Sequence, residues 1–227
     1  MTPETKNRRT IGFLIILAGL IAVMLIVHFG DTASLEGEAL LFIQGIRTDV
    51  LTPLMTTVSH LGNSGKCWII IALILLVLGI IFKATKNGTC SEKLPVSVGI
   101  AAAIALILSL IVTNLILKNA FMRVRPYEVI DTLNILVAKE KDTSFPSGHA
   151  SAAFACASAV FLMLPKKAKW FGIILIIFAA LIAVSRLYVG VHYPTDVIGG
   201  VLAGLFCGML SAIIIDGVKT KTAGKKF

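Results

Sequence analysis

The sequence predicts an all-α membrane protein in which six transmembrane helices form a bundle. Three observations predict it: the composition, six long apolar segments, and the uneven distribution of charge between those segments. Hydrophobic residues make up 57% of the 227 residues and charged residues 15%, whereas soluble domains average about 45–50% and about 25%. With a mean hydropathy of +0.93, the chain is neither disordered nor a conventional soluble domain.

Six segments come close to the length that a bilayer requires, because a helix needs roughly 20 apolar residues to span about 30 Å of hydrocarbon. The segments are 11–28, 61–82, 95–117, 150–164, 170–189 and 197–215. We expect the first to be a retained span rather than a signal peptide, since no convincing cleavage site precedes Asp31. We expect the short fourth segment to gain a turn from its flanks. No room remains for a soluble domain, so residues 1–227 are predicted to form one integral-membrane domain.

The net charge of +9 is divided unequally between the loops. If the spans alternate, the N-terminal side holds thirteen basic and three acidic residues, and the other side holds eight basic and nine acidic residues. Lys and Arg are enriched in cytoplasmic loops. This predicts a cell-membrane protein with both termini in the cytoplasm and segments 31–66, 118–149 and 186–196 outside. Nucleic-acid binding is not expected, because the basic residues are scattered between apolar segments rather than gathered on one solvated face.

A short helical segment is predicted at the outer interface between the first and second spans. Apolar residues recur there at intervals of three and four from Leu40 to Leu61, as in an amphipathic helix. Arg47 and Asp49 lie within this stretch and Pro53 interrupts it, so we expect it to lie at the interface rather than to span. Packing against the spans and a role in lipid entry are both open.

The sixth segment carries Gly200, Gly204 and Gly208 at intervals of four residues. Such spacing lets helix backbones approach closely. We expect this stripe to pack within the chain, with dimerisation as the alternative. The sequence does not determine the oligomeric state.

Three clusters of polar and ionisable residues lie at the predicted outer ends of spans. In a membrane protein such clusters mark functional sites, because burying a charge in lipid is costly. The clusters are residues 118–126 (KNAFMRVRP), 144–149 (SFPSGH) and 185–196 (SRLYVGVHYPTD). If the bundle brings them together, Lys118, Arg125 and Arg186 supply three cations, and Arg suits bidentate contacts with phosphate.

The second and third clusters add groups suited to phosphoryl transfer. Pro146-Ser147-Gly148 leads into the fourth span, where glycine permits close backbone approach and a helix start favours an anion; His149 follows on the first turn. His192 and Asp196 have the spacing of one helix face, with Pro194 at or before the first turn of the sixth span. A carboxylate that orients one imidazole nitrogen leaves the other free as nucleophile or base. Without a metal-ligand cluster, this predicts covalent catalysis that needs no metal.

Each of these residues has a simpler explanation when it is taken alone. A basic residue near the membrane usually anchors a helix end, and Ser147-Gly148 could serve only to start a helix. Asp196 could serve only as a favourable acid at a helix N-terminus. We interpret His28 and His60 as structural. The convergence of several phosphate-binding groups on one side is what favours a site.

The three clusters resemble the signature motifs of the type 2 phosphatidic acid phosphatase superfamily, which read K-x6-R-P, P-S-G-H and S-R-x5-H-x3-D. Here they read Lys118…Arg125-Pro126, Pro146-Ser147-Gly148-His149 and Ser185-Arg186…His192…Asp196. Each motif matches without a substitution and in the same order. The resemblance implies a six-helix bundle whose active site opens at one face of the membrane.

The resemblance also implies a role for each motif residue. His192 would attack phosphorus, Asp196 would orient His192, and His149 would protonate the leaving oxygen and later activate water. The phosphate would be held by Lys118, Arg125, Ser147, Gly148 and Arg186. Arg123 lies outside the motif and is expected only as an auxiliary phosphate contact. No metal and no other cofactor is expected.

The implied function is that of a membrane lipid phosphatase with an outward-facing active site. The expected substrates are phosphatidylglycerol phosphate, undecaprenyl diphosphate or phosphatidic acid, and the motifs do not choose among them. Vanadium haloperoxidases share the motifs, but they are soluble, and the apolar spans argue against this alternative. A lipid transporter or a non-catalytic lipid-binding protein on this fold is disfavoured, because both motif histidines are present and Asn114 is the main polar residue in mid-span.

Overall fold

The computed structural model describes residues 3–84 and 96–224, and the regular elements in these two stretches are helical. The α-helices are α1 (Pro3–Phe29), α2 (Ala33–Gly45), α3 (Leu51–Leu61), α4 (Lys66–Ala84), α5 (Val96–Ser109), α6 (Lys118–Phe121), α7 (Pro126–Val129), α8 (Gly148–Met163), α9 (Lys169–Tyr188) and α10 (Pro194–Gly224). The all-α prediction is confirmed for this part of the chain. Residues 85–95, which include the start of the third predicted span, lie outside the described residues.

Within residues 3–84 and 96–224, five helical stretches are long and apolar enough to cross a membrane. They are Arg9–Phe29, Lys66–Ala84, Val96–Val129, Lys166–Tyr188 and Pro194–Val218. The remaining predicted span is α8, with 16 residues, and at about 1.5 Å per residue it is shorter than the hydrocarbon layer. It begins two residues earlier than predicted, so it gains less than the expected turn. The fold is that of a multi-pass membrane protein, and the crossing of α8 stays a prediction.

The short helix α8 lies in the centre of the bundle, packed against α5, α9 and α10. The glycine stripe of α10 faces it. A Cβ atom on Gly200 would lie 2.5 Å from the carbonyl oxygen of Ser147, and one on Gly204 would collide with the carbonyl oxygen of Ser151. Because no side chain fits between them, α8 and α10 meet backbone to backbone. The prediction that the stripe packs within the chain is confirmed.

The interfacial segment consists of two helices, α2 and α3, rather than one helix interrupted at Pro53. The break lies at residues 46–50, where Arg47 donates hydrogen bonds to the carbonyl oxygens of Tyr188 at 2.7 Å and Asn134 at 2.6 Å. Pro53 lies in the first turn of α3. Proline is tolerated there because the first amides of a helix have no partner within the helix.

The third predicted span continues beyond residue 117. After α5 the chain forms a π-helix over Leu110–Leu117, which leads directly into α6 and ends at Met122 with a φ of 45°. Segments of π-helix are frequent at functional sites. This one places Lys118 at the end of the bundle that holds the other motif residues.

The first and last long helices are tied together at the opposite end of the bundle. The Arg9 guanidinium of α1 pairs with the Asp216 carboxylate of α10. The N-terminal part of α1 and the C-terminal part of α10 therefore lie at the same end. The side of the membrane that this end faces stays a prediction.

Candidate active site

The three motif segments meet at one end of the bundle. Lys118 and Arg125 approach from α6 and the segment that follows it, His149 from the start of α8, and Arg186 from the last turn of α9. His192 and Asp196 come from the connection between α9 and α10. The following motif side chains are buried: Lys118, Arg125, Ser147, Arg186, His192 and Asp196.

Two carboxylates from one irregular segment pair with the three cations. The Lys118 ammonium donates to Asp142 Oδ2 at 2.5 Å, and Arg125 Nη2 donates to Asp142 Oδ1 and to Glu140 Oε2, both at 2.5 Å. Arg186 donates to Glu140 Oε1 and to the hydroxyl of Ser59. The cations are therefore gathered on shared anions, as they would be on the oxygens of a phosphate.

The nucleophile candidate His192 lies between this cluster and Asp196. Its Nε2 is 3.4 Å from Arg125 Nη1 and 3.9 Å from Glu140 Oε2, and its Nδ1 is 3.6 Å from Asp196 Oδ2. The expectation that His192 and Asp196 share a helix face is wrong, because α10 begins at Pro194. They meet through a turn instead: Asp196 Oδ2 accepts the amide of Tyr193 at 2.8 Å, which folds the chain back onto the carboxylate.

His149 lies on the other side of the Glu140 carboxylate from His192. Its Nδ1 is 3.9 Å from Glu140 Oε1, and its Nε2 lies 2.9 Å from Asn63 Oδ1. Asn63 in turn lies 3.2 Å from His60 Nδ1 through its side-chain amide. Because an N–H at Nε2 donates to Asn63, the Nδ1 atom of His149 faces the Glu140 carboxylate. We call the space that this carboxylate occupies the anion position. The two histidines therefore flank one anion, each by a different ring nitrogen.

Ser147 and Gly148 form the start of α8. The Ser147 hydroxyl accepts the amide of Ala150 at 3.5 Å, and its own amide donates to the carbonyl oxygen of Asp196 at 2.9 Å. A Cβ atom on Gly148 would lie 3.3 Å from Asn114 Oδ1. The structure therefore gives Ser147 the helix-starting role that we considered as its alternative, and its contact with phosphate stays a prediction.

Arg123 binds Asp196 rather than the anion position. Its Nη1 donates to Asp196 Oδ1 at 2.7 Å and to the hydroxyl of Thr195 at 2.8 Å, and its Nη2 donates to Glu36 Oε2 at 2.5 Å. Ser144 donates to the other oxygen of Asp196 at 2.5 Å. The expectation of an auxiliary phosphate contact is replaced by a role in holding the carboxylate behind His192.

The charge states suit nucleophilic chemistry near neutral pH. Burial lowers the pKa of His192 to about 4, although Asp196 acts in the opposite direction. Burial raises the pKa of Glu140, but the charges of Arg186 and Arg125 outweigh it, and the pKa lies below its ordinary value. Burial and the charge of Arg186 lower the pKa of His149 to about 3. Both histidines are therefore neutral near pH 7, with a lone pair on His192 Nε2, and Glu140 is ionised.

A cavity of about 920 Å³ opens from the site toward the side of the bundle. Its polar end is lined by Lys118, Glu140, His149 and Arg186. Its apolar part runs between α4 and α5 and is lined by Ile69, Leu73, Leu76, Leu106, Ile107 and Leu110. The arrangement suits a ligand with an anionic head and an apolar tail.

Several residues of the site were not recognised from the sequence. Glu36, Glu140 and Asp142 entered only the balance of charge between the two sides. Ser144 was included in the second cluster without a role of its own, and Asn63 was not singled out. The available signal was the scarcity of acidic residues: 12 Asp and Glu in 227 residues. An acid that remains in such a chain is a candidate for a buried pair.

A comparison with protein families identifies the family of this chain. The family model of the PAP2 superfamily matches residues 98–218, which include all three motif segments. The chain belongs to the PAP2 superfamily. The resemblance stated from the motifs is therefore confirmed.

Individual relatives are similar over most of the chain. An undecaprenyl-diphosphatase from Sulfolobus acidocaldarius is 33% identical over 72% of this chain and 70% of its own length. Phosphatidylglycerophosphatase B from Bacillus subtilis is 33% identical over 70% of this chain and 73% of its own length. The crystal structure of a transmembrane PAP2-type phosphatidylglycerolphosphate phosphatase from Bacillus subtilis superposes with a TM-score of 0.67 at 23% identity, covering 92% of this chain and 96% of that one. This last likeness shows that the two share a fold.

Proposed function

We propose that this protein is a multi-pass membrane phosphatase that removes the terminal phosphate of phosphatidylglycerol phosphate or undecaprenyl diphosphate through a phosphohistidine intermediate. The coarser activity, a phosphatase of lipid phosphates, follows from its place in the PAP2 superfamily and from the names of its relatives. The observation that carries the finer proposal is the anion position between His192 Nε2 and His149 Nδ1. Arg125 and Arg186 also converge there.

In the first step, neutral His192 attacks phosphorus. His149 first takes up at Nδ1 the proton of a monoanionic bound phosphate. A bond then forms between His192 Nε2 and phosphorus while the bond from phosphorus to the lipid oxygen breaks, and His149 gives the Nδ1 proton to that oxygen. Asp196 stabilises the imidazole ring at Nδ1 as it becomes positively charged. Lys118, Arg125 and Arg186 hold the phosphoryl oxygens, where negative charge accumulates in the transition state.

In the second step, water replaces His192 on phosphorus. His149, now neutral, takes a proton from the water as its oxygen attacks. The bond between phosphorus and Nε2 breaks and releases inorganic phosphate, which restores both histidines. Neither step calls for a metal. Among the described residues no cluster of three or more His, Cys, Asp or Glu side chains is arranged to bind one, and independence from metals stays part of the proposal.

The cavity between α4 and α5 supports a lipid substrate. Its lining changes from charged near His149 to aliphatic between α4 and α5, which matches a phosphate head joined to a long apolar chain. We place the site on the extracytoplasmic face of the cell membrane, because the basic residues concentrate on the opposite side. Residues 1–227 act as one domain in this proposal.

The test is release of phosphate by the purified protein in EDTA. Phosphatidylglycerol phosphate, undecaprenyl diphosphate and phosphatidic acid are compared by kcat/KM. His192→Ala removes the nucleophile and is expected to lower kcat by about 10⁴-fold or more, the scale on which other enzymes lose activity when a catalytic side chain is removed.

His28→Ala is the matched control, because His28 is exposed and contacts the rings of Phe29 and Phe121 outside the site. It is expected to keep wild-type activity. Full activity of His192→Ala would contradict the mechanism, and loss of wild-type activity in EDTA would contradict independence from metals. A higher kcat/KM for phosphatidic acid than for the other two lipids would replace the proposed substrates.

A further inference from the structure

Glu140 places a carboxylate where the proposed mechanism places the phosphate. Oε2 accepts a hydrogen bond from Arg125 at 2.5 Å, and Oε1 accepts one from Arg186. The same two oxygens lie 3.9 Å from His192 Nε2 and from His149 Nδ1. A phosphate held by both arginines and reached by both histidines cannot share this space with the carboxylate, so one must leave when the other enters.

The Glu140 side chain is placed so that it can leave. It belongs to residues 130–147, which form no helix, and it borders the cavity. Its main chain is held independently, because the Tyr127 hydroxyl donates to the Glu140 carbonyl oxygen at 3.1 Å. Asp142 remains paired with Lys118 and Arg125 when Glu140 turns away. Rotation of one side chain toward the cavity therefore opens the site.

We propose that Glu140 is a tethered competing anion that weakens the binding of every anion by the same factor and so keeps weakly bound anions out of the phosphate site. The proposal rests on the proposed function for the identity of the substrate, but the displacement itself concerns only anions and this chain. It assigns to Glu140 a role that none of the three motifs contains.

The selection follows from charge and from tethering. A carboxylate carries one negative charge, as does the phosphodiester of an anionic phospholipid, whereas a phosphomonoester carries about 1.5 to 2. Attraction to the cations grows in proportion to the charge. Because Glu140 is attached to the chain, it competes at an effective concentration of millimolar order. Every ligand must offset the same free energy to displace Glu140. The attraction of a phosphomonoester or diphosphate to the cations exceeds this free energy, and that of a phosphodiester does not.

The test compares Glu140→Gln with wild type and with Glu128→Gln, each as the purified full chain. Glu128 is an exposed carboxylate of the same outer segment, so its substitution removes the same charge without touching the site. The probes are tungstate and perrhenate, two tetrahedral oxyanions with charges of −2 and −1. The readout is the concentration of each that gives half of its maximal increase in the temperature of unfolding.

We expect this concentration to fall about tenfold for both oxyanions in Glu140→Gln, because a competing charge-assisted contact is lost. In wild type and Glu128→Gln, tungstate should stabilise the protein and perrhenate should act only at far higher concentration. In activity assays, the KM for the lipid phosphate and the inhibition constant of phosphatidylglycerol should fall by the same factor in Glu140→Gln, without a rise in kcat.

Equal oxyanion affinities in Glu140→Gln and wild type would overturn the proposal. If Glu140→Gln does not fold, Glu140→Asp serves instead, because its shorter side chain cannot reach both arginines. Its affinity for tungstate should be higher than that of wild type. An affinity equal to or lower than that of wild type would also overturn the proposal. A wild type that releases no phosphate from any lipid while the oxyanion shifts occur would refute the proposed function and leave the role of Glu140 standing.

Discussion

Individual charged residues of this protein are buried where a residue of opposite charge meets them. Arg123 is half-buried between the buried carboxylates Glu36 and Asp196, and Arg125 is buried beside Glu140 and Asp142. Removing one partner from such a group leaves a buried charge without compensation, which costs far more than the pair itself contributes. The carboxylate behind His192 therefore depends on Arg123, although Arg123 does not touch the anion position.

Arg123→Gln should lower the stability of the fold by about 3–5 kcal/mol, because two carboxylates then face each other without a cation. Thermal unfolding of the purified protein measures the change. Adding Glu36→Gln in the same chain removes one of these carboxylates and should restore part of the loss. A double variant no more stable than Arg123→Gln would show that the charge group is not what stabilises this region.

The stability of the protein should depend on pH through His192. Its pKa in the folded state is about 4, below the ordinary value of about 6.5. Between these values the unfolded chain binds a proton that the folded chain does not, so stability is complete above about pH 6.5 and falls as the pH drops toward 4. The loss from this group amounts to about 3 kcal/mol.

The measurement is the unfolding temperature of wild type and of His192→Asn across this range of pH. The asparagine variant lacks the titrating group and should lose less stability on acidification. Parallel curves for the two proteins would contradict the depressed pKa of His192.

At the scale of helices, the contact between α8 and α10 positions the chemistry. His149 stands on the first turn of α8 and Asp196 on the first turn of α10. The amide of Ser147 donates to the carbonyl oxygen of Asp196 at 2.9 Å, where the two helices begin. The glycines of α10 allow this approach. The distance between the two motif segments therefore depends on the packing of α8 against α10 along the glycine stripe, and not only on contacts within the site.

Gly204→Ala should therefore destabilise the fold and reduce activity. The added Cβ atom would collide with the Ser151 carbonyl oxygen and lie 3.0 Å from the amide nitrogen of Ala155, and overpacking of this kind costs about 1–3 kcal/mol. Gly217→Ala in the same helix is the control, because its Cβ atom meets no atom within 4 Å. Unfolding temperature and kcat are measured for both, and equal behaviour of the two variants would refute the importance of the close contact.

At the scale of the whole molecule, the bundle has two chemically different ends. One end gathers the motif residues and the carboxylates that neutralise them. The other end joins α1 to α10 through Arg9 and Asp216 and carries the lysines of residues 166–169 between α8 and α9. The bias of basic residues toward this second end predicts that it faces the cytoplasm.

Labelling of single cysteines tests this orientation. In a chain whose native cysteines are replaced, Glu128→Cys should react with a membrane-impermeant thiol reagent in intact cells, and Lys166→Cys should react only after permeabilisation. The residues lie at opposite ends of the bundle, so each is the control for the other. The reverse pattern of labelling would invert the predicted topology and place the site on the cytoplasmic side.

The sequence by itself determined the class of the fold, the positions of the apolar helices and the motif residues of the site. These properties are local: long apolar runs report burial in lipid, and motif residues with fixed spacings can be read directly. The sequence was least informative where the end of a helix depends on contacts with distant parts of the chain. The break between α2 and α3 is an example, because Arg47 forms hydrogen bonds there with residues 134 and 188.

Only the tertiary structure decided which polar and charged side chains contact each other. Glu36 reaches Arg123 across 87 residues, Ser59 reaches Arg186 across 127, and Asn63 reaches His149 across 86. No periodicity links such positions, because their contacts arise from the packing of helices that are distant in the chain. Even His192 and Asp196, four residues apart, meet through a turn held by a buried hydrogen bond rather than through a helix. The occupation of the anion position by Glu140 belongs to this class, since it exists only once four segments of the chain have packed together.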